Sequence, residues 1–202
     1  VTADPALLLD PAPDDQVDSL LLGRGIPADG RYLMFALRPW QGFAAKAEVF
    51  AACAQQAYEA HGLTPLFLAF EPKRDLAAAQ SVCENLTCPY YILPTPERGD
   101  LIVGLMRRAS AMAAMRLHAL IFAAGQGVPL VGVVYDPKVS SFLDDLGQPR
   151  YAPLRDVTEP LLTGMIEDAL AGGQSAADAS ARLRALAREN CDAARELLEE
   201  TK

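Results

Sequence analysis

The chain has 202 residues, of which 51% are hydrophobic and 22% charged, and its formal net charge is −8 at pH 7. This composition excludes a disordered chain, and no apolar run approaches the roughly 18 residues that a membrane span needs. The acidic balance argues against nucleic-acid partners, because nonspecific binding depends on neutralising phosphates with Lys and Arg. The length fits one domain.

Residues 1–30 are predicted to be irregular. Asp4-Pro5, Asp10–Pro13 and Pro27–Gly30 interrupt this stretch, and only a short apolar segment, Leu20–Leu22, lies between them. Proline and glycine at this density are typical of loops. We interpret the stretch as an inter-domain connection that leads into a domain over residues 31–157.

From residue 31 onward, buried strands alternate with helices. Continuous apolar runs predict strands at residues 32–37, 64–70, 90–93 and 128–135. Helical patterns occupy residues 44–61, 75–86, 100–108, 120–124 and 139–146, with Gly62 as a C-cap and Asp75 as an N-cap. Residues 111–118 are ambiguous between strand and helix. Alternation of this kind predicts an α/β fold, a Rossmann-like parallel sheet with helices on both faces.

The tail, residues 158–202, contains two further predicted helices. Thr158–Leu170 and Ala176–Glu200 are separated by Ala171-Gly172-Gly173. The second helix has an amphipathic stripe that includes Leu183, Leu186 and Ala187. Either this stripe packs on the domain's own sheet or it packs on a partner domain outside the chain.

The four cysteines do not form a metal-binding or disulfide framework. No CxxC motif occurs, and the chain has only two His. A structural zinc site is therefore not expected. Reduced, buried thiols in a cytosolic protein are the expected state of Cys53, Cys83, Cys88 and Cys191.

In an open parallel sheet, ligands bind at the carboxyl ends of the strands, near helix N-termini. The loops at that edge lie at residues 38–42, 71–75, 94–98, 116–118 and 136–138. Arg38 ends the first strand and precedes a proline, so its guanidinium stands at the edge. There it can hold an anion bidentately or pair with a neighbouring carboxylate. Lys138, after the last strong strand, is either a site residue or a solvated lysine.

Arg116 and His118 have two interpretations. In extended backbone both side chains point the same way, and with a helix that starts near Ala119 they form an anion site with a proton donor. In a helix they lie on different faces, and His118 is then a core histidine.

The sequence lacks the motifs of three common enzyme classes. It has no G-x-G-x-x-G of dinucleotide-binding proteins at the first helix, no Walker A motif of P-loop proteins and no G-x-S-x-G of serine hydrolases.

Three segments follow one another in the chain: Met115–Ala124 (MRLHALIFAA), Gly127–Pro129 (GVP) and Val133–Val139 (VVYDPKV). In this order they closely resemble the polysaccharide pyruvyl transferase family, in particular its bacterial CsaB-like branch. Thr2–Ala6 and Leu37–Trp40 are also similar to that branch. The likeness runs to about residue 146 and weakens after it.

The resemblance implies a GT-B-like enzyme of two Rossmann-like halves with the site in the cleft between them. This chain would be the C-terminal half, which binds the donor, phosphoenolpyruvate, and its N-terminal domain would lie outside the chain. The family's product is a pyruvate ketal on two hydroxyls of a sugar, often the ManNAc of a cell-wall glycan precursor. In bacteria with this branch the polymer anchors S-layer proteins. The implied acceptor is a lipid-linked or polymeric glycan, handled in the cytoplasm at the inner face of the membrane.

The resemblance also assigns residues. The family's donor-binding arginines map onto Arg38 and Arg116, and its histidine maps onto His118. Leu117 would contribute backbone contacts, and Lys138 lies in a segment that recurs in the family. We expect His118 to act as the acid of the reaction, and we expect no metal and no cofactor beyond the donor substrate.

Two other functions stay open at this point. GT-B enzymes that use a nucleotide sugar, either glycosyltransferases or epimerases, share the histidine-helix and GVP-strand layout. They usually place a Glu after the GVP segment to hold a ribose, whereas this chain has Tyr135–Lys138 there. The second alternative is a noncatalytic interaction domain that docks through its tail helix.

Overall fold

A computed structural model describes residues 3–172, 181–190, 192 and 195. Six parallel strands form one sheet in the order β3-β2-β1-β4-β5-β6. The strands are β1 (Tyr32–Ala36), β2 (Thr64–Ala69), β3 (Tyr91–Pro94), β4 (Ala109–Ala114), β5 (Leu130–Val134) and β6 (Tyr151–Pro153). The helices are α1 (Asp14–Leu22), α2 (Ala47–His61), α3 (Pro72–Cys83), α4 (Gly99–Met106), α5 (Leu117–Gly125), α6 (Pro137–Asp145) and α7 (Glu159–Ala171). The predicted α/β class is confirmed.

Helices cover both faces of the sheet, and this explains the continuous apolar runs of the strands. In β1, Met34 and Ala36 face the cluster formed with α1, α4, α5 and α6. Leu33 and Phe35 point the other way, into the cluster formed with α2, α3 and α7. Each face therefore has its own core, and β1 is buried between them.

Residues 111–118, which the sequence left ambiguous, divide between a strand and a helix. β4 is rich in alanine, a weak strand former, yet it pairs with β1 and β5 on either side. Helices α5 and α7 pack on this strand. Its burial between two neighbouring strands and two helices therefore outweighs its low intrinsic strand propensity.

The prediction that residues 1–30 are irregular is wrong. A 3₁₀ turn spans Pro5–Leu8, and α1 contributes the fully buried Val17 and Leu21 to the core. The backbone N–H of Ala12 donates to the carbonyl of Asp100 at 2.8 Å, which ties the segment to α4. The segment is thus part of the packed domain, and its role as an inter-domain connection stays a prediction.

The described part of the tail packs on the same domain. Helix α7 lies against α2 and the sheet. Residues 181–190 are helical, and Leu183 and Ala187 are buried in the α5 face of the core. Arg184 Nη1 donates to the carbonyl of Gly125 at 3.2 Å. Asp192 and Arg195 are helical as well, and the other residues of the helix predicted at residues 176–200 lie outside the described residues.

The described thiols are buried and unpaired. Cys53, Cys83 and Cys88 all lie in the interior, and burial raises the pKa of the Cys83 thiol to about 12. Cys191 lies outside the described residues. None of the helices in the described ranges combines the length and hydropathy that a membrane span requires.

Helix α1 approaches α4 closely at Gly104, and this contact can be tested. A Cβ at Gly104 would lie 2.8 Å from Val17 Cγ2 and 3.1 Å from the carbonyl oxygen of Ala12. We expect Gly104→Val to lower the free energy of unfolding by about 1–3 kcal/mol, since α1 must move away. Urea denaturation followed by circular dichroism measures the change.

Gly99→Val, in the same helix, is the matched control. A Cβ at Gly99 meets Leu9 Cδ1 only at the ordinary distance of 3.8 Å. If both variants unfold at the same urea concentration, the packing of α1 on α4 is not as described.

Candidate functional site

The strand order reverses between β1 and β4, and ligands of open α/β sheets bind outside the carboxyl ends of strands at such a reversal. The backbone N–H groups of Met115 and Arg116 donate to the carbonyl of Ala36, at 3.0 and 3.3 Å. The ends of the two strands are therefore tied together. Arg38 leaves one strand and Arg116 leaves the other at this point.

Aromatic rings hold Arg38, and no carboxylate among the residues that the structure describes pairs with it. Its Nη1 donates to Tyr135 Oη at 2.9 Å. Its guanidinium carbon lies 4.8 Å from the centroid of the Tyr135 ring and 5.3 Å from that of Trp40. Attraction between a cation and these ring faces orients the guanidinium without neutralising its charge. Arg38 is thus fixed at the sheet edge as a positive group.

Arg116 is held by two carboxylates. Nη1 donates to Glu71 Oε1 at 2.6 Å, and Nη2 donates to Asp75 Oδ1. Only 11% of the Arg116 side chain is exposed. Burial acts to lower the pKa of Arg116, but the hydrogen bonds to Asp75 and Glu71 outweigh it and raise that pKa above its ordinary value. Arg116 is therefore permanently charged.

Asp75 supports Arg116 and is not the predicted helix N-cap. Helix α3 begins at Pro72, three residues before Asp75, and Glu71 occupies the N-cap position. Asp75 Oδ2 accepts the backbone N–H of Glu71 at 2.9 Å, and its side chain is 1% exposed. The carboxylate thus joins the start of α3 to the guanidinium of Arg116.

Glu71 lies in the field of several arginines. The hydrogen bond and charge of Arg116 lower the pKa of the Glu71 carboxyl, and the charges of Arg74 and Arg38 lower it further. Arg38 and Arg116 therefore act on the same carboxylate, although they come from different strands. The exposed Glu71 carboxylate therefore lies close enough to both arginines for their charges to stabilise its ionised form.

His118 lies on the first turn of α5, two residues after Arg116. Arg116 is extended (φ −77°, ψ 117°), and the helix begins at Leu117. The hypothesis that both residues lie in extended backbone is therefore wrong, and so is the single long helix. His118 is exposed, and its ring centroid lies 6.1 Å from that of Phe122, one turn further along. This histidine is on the surface and is not a core residue.

The remaining predicted residues are Lys138 and Leu117. Lys138 is exposed on the first turn of α6, with Nζ 3.7 Å from Asp136 Oδ2. Leu117 and Lys138 line a separate cavity of about 400 Å³ together with Ile121 and Phe142. The structure thus places Arg38 and Arg116 after two adjacent strand ends and His118 two residues beyond Arg116, while the Leu117 side chain lines the separate cavity.

Sequence reasoning missed the groups that hold the arginines. Glu71 and Asp75 lie in the predicted edge loop 71–75, and Tyr135 ends the predicted strand 128–135. The sequence predicts a helix cap for Asp75 but no contact with an arginine for any of the three. Pairing across 41 to 97 positions has no local signal. In the described ranges, His, Cys, Asp and Glu side chains form no group of three that could hold a metal ion.

The buried contact between Asp75 and Arg116 yields a stability prediction. Asp75→Asn removes the charge that compensates Arg116, so we expect a loss of unfolding free energy on the order of 2–4 kcal/mol. Glu71→Gln is the matched control, because it removes the exposed partner of the same guanidinium. Urea denaturation should separate the two variants clearly, and equal midpoints would contradict the structural role of Asp75.

Solved structures that share this fold include glycosyltransferases and an epimerase. A glycosyl transferase of family 9 from Veillonella parvula matches with a TM-score of 0.58 at 17% identity, covering 78% of this chain and 51% of that one. The heptosyltransferase II of E. coli, which its title describes as an ADP-heptose LPS enzyme, matches with a TM-score of 0.63 at 14% identity, covering 81% and 53%. The UDP-GlcNAc 2-epimerase of Methanocaldococcus jannaschii matches with a TM-score of 0.63 at 11% identity, covering 88% and 52%.

These matches show a fold shared with glycosyltransferases and an epimerase, and the chain spans about half the length of each structure. No curated protein sequence matches the chain. The family model for polysaccharide pyruvyl transferases, however, matches residues 1–137, which is more than half of the chain and includes Arg38, Arg116 and His118. The chain therefore belongs to the polysaccharide pyruvyl transferase family.

Proposed function

We propose that this chain is the donor-binding half of a pyruvyl transferase of the CsaB-like branch. The enzyme moves the pyruvate moiety of phosphoenolpyruvate onto a sugar of a cell-wall polysaccharide precursor, as a ketal on two hydroxyls. The observation that carries the proposal is that Arg38 and Arg116 follow two adjacent strand ends at the strand-order reversal, where the backbone N–H of Arg116 donates to the carbonyl of Ala36. Family membership supports the reaction class.

The charges at this edge complement the proposed donor. Phosphoenolpyruvate has a phosphate and a carboxylate, and guanidinium groups bind both anions through paired hydrogen bonds. The N-terminus of α5 adds a positive helix end directly after Arg116, where Arg116 provides no side-chain cap. Two arginines and a helix end are thus available for two anionic groups.

In this proposal, the Glu71 side chain moves away from Arg116 when the donor binds. About half of its side chain is exposed, so it can turn into water, whereas the buried Asp75 keeps Arg116 in place. An anion of the donor then takes the position of the Glu71 carboxylate on Nη1. The Nε atoms of Arg38 and Arg116 are buried without an acceptor among the described residues, and such donors favour a rearrangement that supplies one.

The reaction needs an acid beside the donor. Protonation of the methylene carbon of phosphoenolpyruvate turns its C2 into an oxocarbenium-like centre. A sugar hydroxyl attacks C2 and loses its proton, and a second hydroxyl then displaces phosphate as the bond between C2 and the phosphate oxygen breaks. We assign the acid to His118, which lies exposed at the same helix end, because imidazole exchanges protons near neutral pH. The proposed chemistry uses no metal and no organic cofactor.

The other partners lie outside this chain. The chain spans about half of the solved structures that it matches, so a second, N-terminal domain would face the sheet edge and close the cleft. The acceptor is a glycan precursor with a ManNAc-type sugar, attached to a lipid at the inner face of the membrane or to a polymer. The product would anchor S-layer proteins.

The complete enzyme tests this proposal through phosphate release from phosphoenolpyruvate in the presence of a glycan acceptor. His118→Gln should lower kcat by at least about 10²-fold, the usual contribution of a general acid, with donor affinity retained. His61→Gln is the matched control, since His61 is the chain's other histidine and pairs with Glu167 at the far end of α2. Absence of phosphate release by the unmodified enzyme, or near-full turnover of His118→Gln, would contradict the proposal.

A further inference from the structure

Trp40 is an exposed aromatic side chain at the ligand edge of the sheet. It lies on the loop after β1, two residues beyond Arg38, and 48% of it is exposed. It is also the chain's single tryptophan. Phosphoenolpyruvate has no ring, so the proposed donor does not explain an indole at this point.

Two neighbouring side chains, Tyr135 and Arg38, hold the indole in place. Its ring centroid lies 4.9 Å from that of Tyr135, with the ring planes tilted by 58°. The guanidinium of Arg38 lies against the same two rings. Because Tyr135 is also hydrogen-bonded to Arg38, the three side chains form one fixed group. A ligand that stacks on Trp40 would therefore meet a preorganised surface.

A groove of about 780 Å³ begins at this ring. Its lining includes Trp40, Gln41, Tyr135, Asp136, Ser140 and Arg155. The volume lies in the range of small-molecule sites. An aromatic face with an amide, a carboxylate, a hydroxyl and a guanidinium around it offers both donors and acceptors of hydrogen bonds. We call this feature the Trp40 groove.

We propose that the Trp40 groove binds a pyranose ring of the acceptor, with the C–H face of the sugar on Trp40 and its hydroxyls against the polar lining. A pyranose has one apolar face and a rim of hydroxyls, and the groove offers a complementary surface for each. The carboxylate of Asp136, the amide of Gln41 and the hydroxyl of Ser140 can hydrogen-bond the hydroxyls of a sugar.

The position of the groove agrees with the transfer reaction. Arg38 contacts the donor in the proposed function and contacts Trp40 in the structure, so the sugar would lie directly beside the donor. The acceptor hydroxyls must reach C2 of phosphoenolpyruvate, which requires such a neighbouring subsite. This inference rests on the proposed function for the identity of the sugar as acceptor.

Tryptophan fluorescence of this chain tests the binding of a pyranose, because Trp40 is the chain's single tryptophan and lines the Trp40 groove. Methyl pyranosides of glucose, mannose and galactose should shift the emission of Trp40 saturably, whereas glycerol should not. Asp136→Asn should weaken that binding by about tenfold, since Asn still caps α6 but loses the charge-assisted hydrogen bonds. A saturable response to uridine or UDP, with none to pyranosides, would overturn the proposal.

Kinetics of the complete enzyme provide the second readout. Trp40→Ala should raise the acceptor KM by about tenfold or more, and Trp40→Phe should recover most of the loss because it keeps a ring. An acceptor KM that does not respond to Trp40→Ala would overturn the groove while leaving the donor proposal intact. Failure of phosphoenolpyruvate to bind, measured separately by calorimetry, would instead contradict the proposed function.

Discussion

The reversal of strand order between β1 and β4 is the constraint on which the site depends. The chain leaves β1 for α2 on one face of the sheet and leaves β4 for α5 on the opposite face. Because the two connections diverge, a crevice opens at the carboxyl ends of these strands. Every residue that we assign to the donor lies within four positions of one of the two strand ends. The position of the site therefore follows from the order of the strands, and the side chains determine what it binds.

Two arginines occupy this crevice, and each is held by a different interaction. Arg38 lies against the rings of Trp40 and Tyr135, which keep its charge available. Arg116 donates one hydrogen bond from Nη2 to the buried Asp75 and another from Nη1 to the exposed Glu71. The glycosyltransferases and the epimerase that share the fold are only 11 to 17% identical to this chain, so the likeness concerns the fold and not the substrates. A noncatalytic docking domain would not require such a pair.

Much of the fold follows from local patterns, and the errors have physical causes. The apolar runs of β1 and β5 predict strands that are buried on both faces. Alanine-rich β4 has no such pattern, because it forms a strand through its pairing with β1 and β5. Helix α1 was missed among prolines, although Asp14 and Asp15 favour a helix start after Pro13. The partners of Arg116 could not be predicted, since a pair 41 positions apart is set by the tertiary fold alone.

We propose that this chain holds phosphoenolpyruvate between Arg38 and Arg116. Calorimetric titration of the chain with phosphoenolpyruvate, beside UDP, measures this binding. We expect saturable binding of phosphoenolpyruvate that Arg38→Ala abolishes and that Arg116→Lys weakens, since lysine keeps the charge but loses the planar fork. Binding of UDP in place of phosphoenolpyruvate, no binding of either, or donor binding that survives both substitutions would show that the two arginines do not form the donor site.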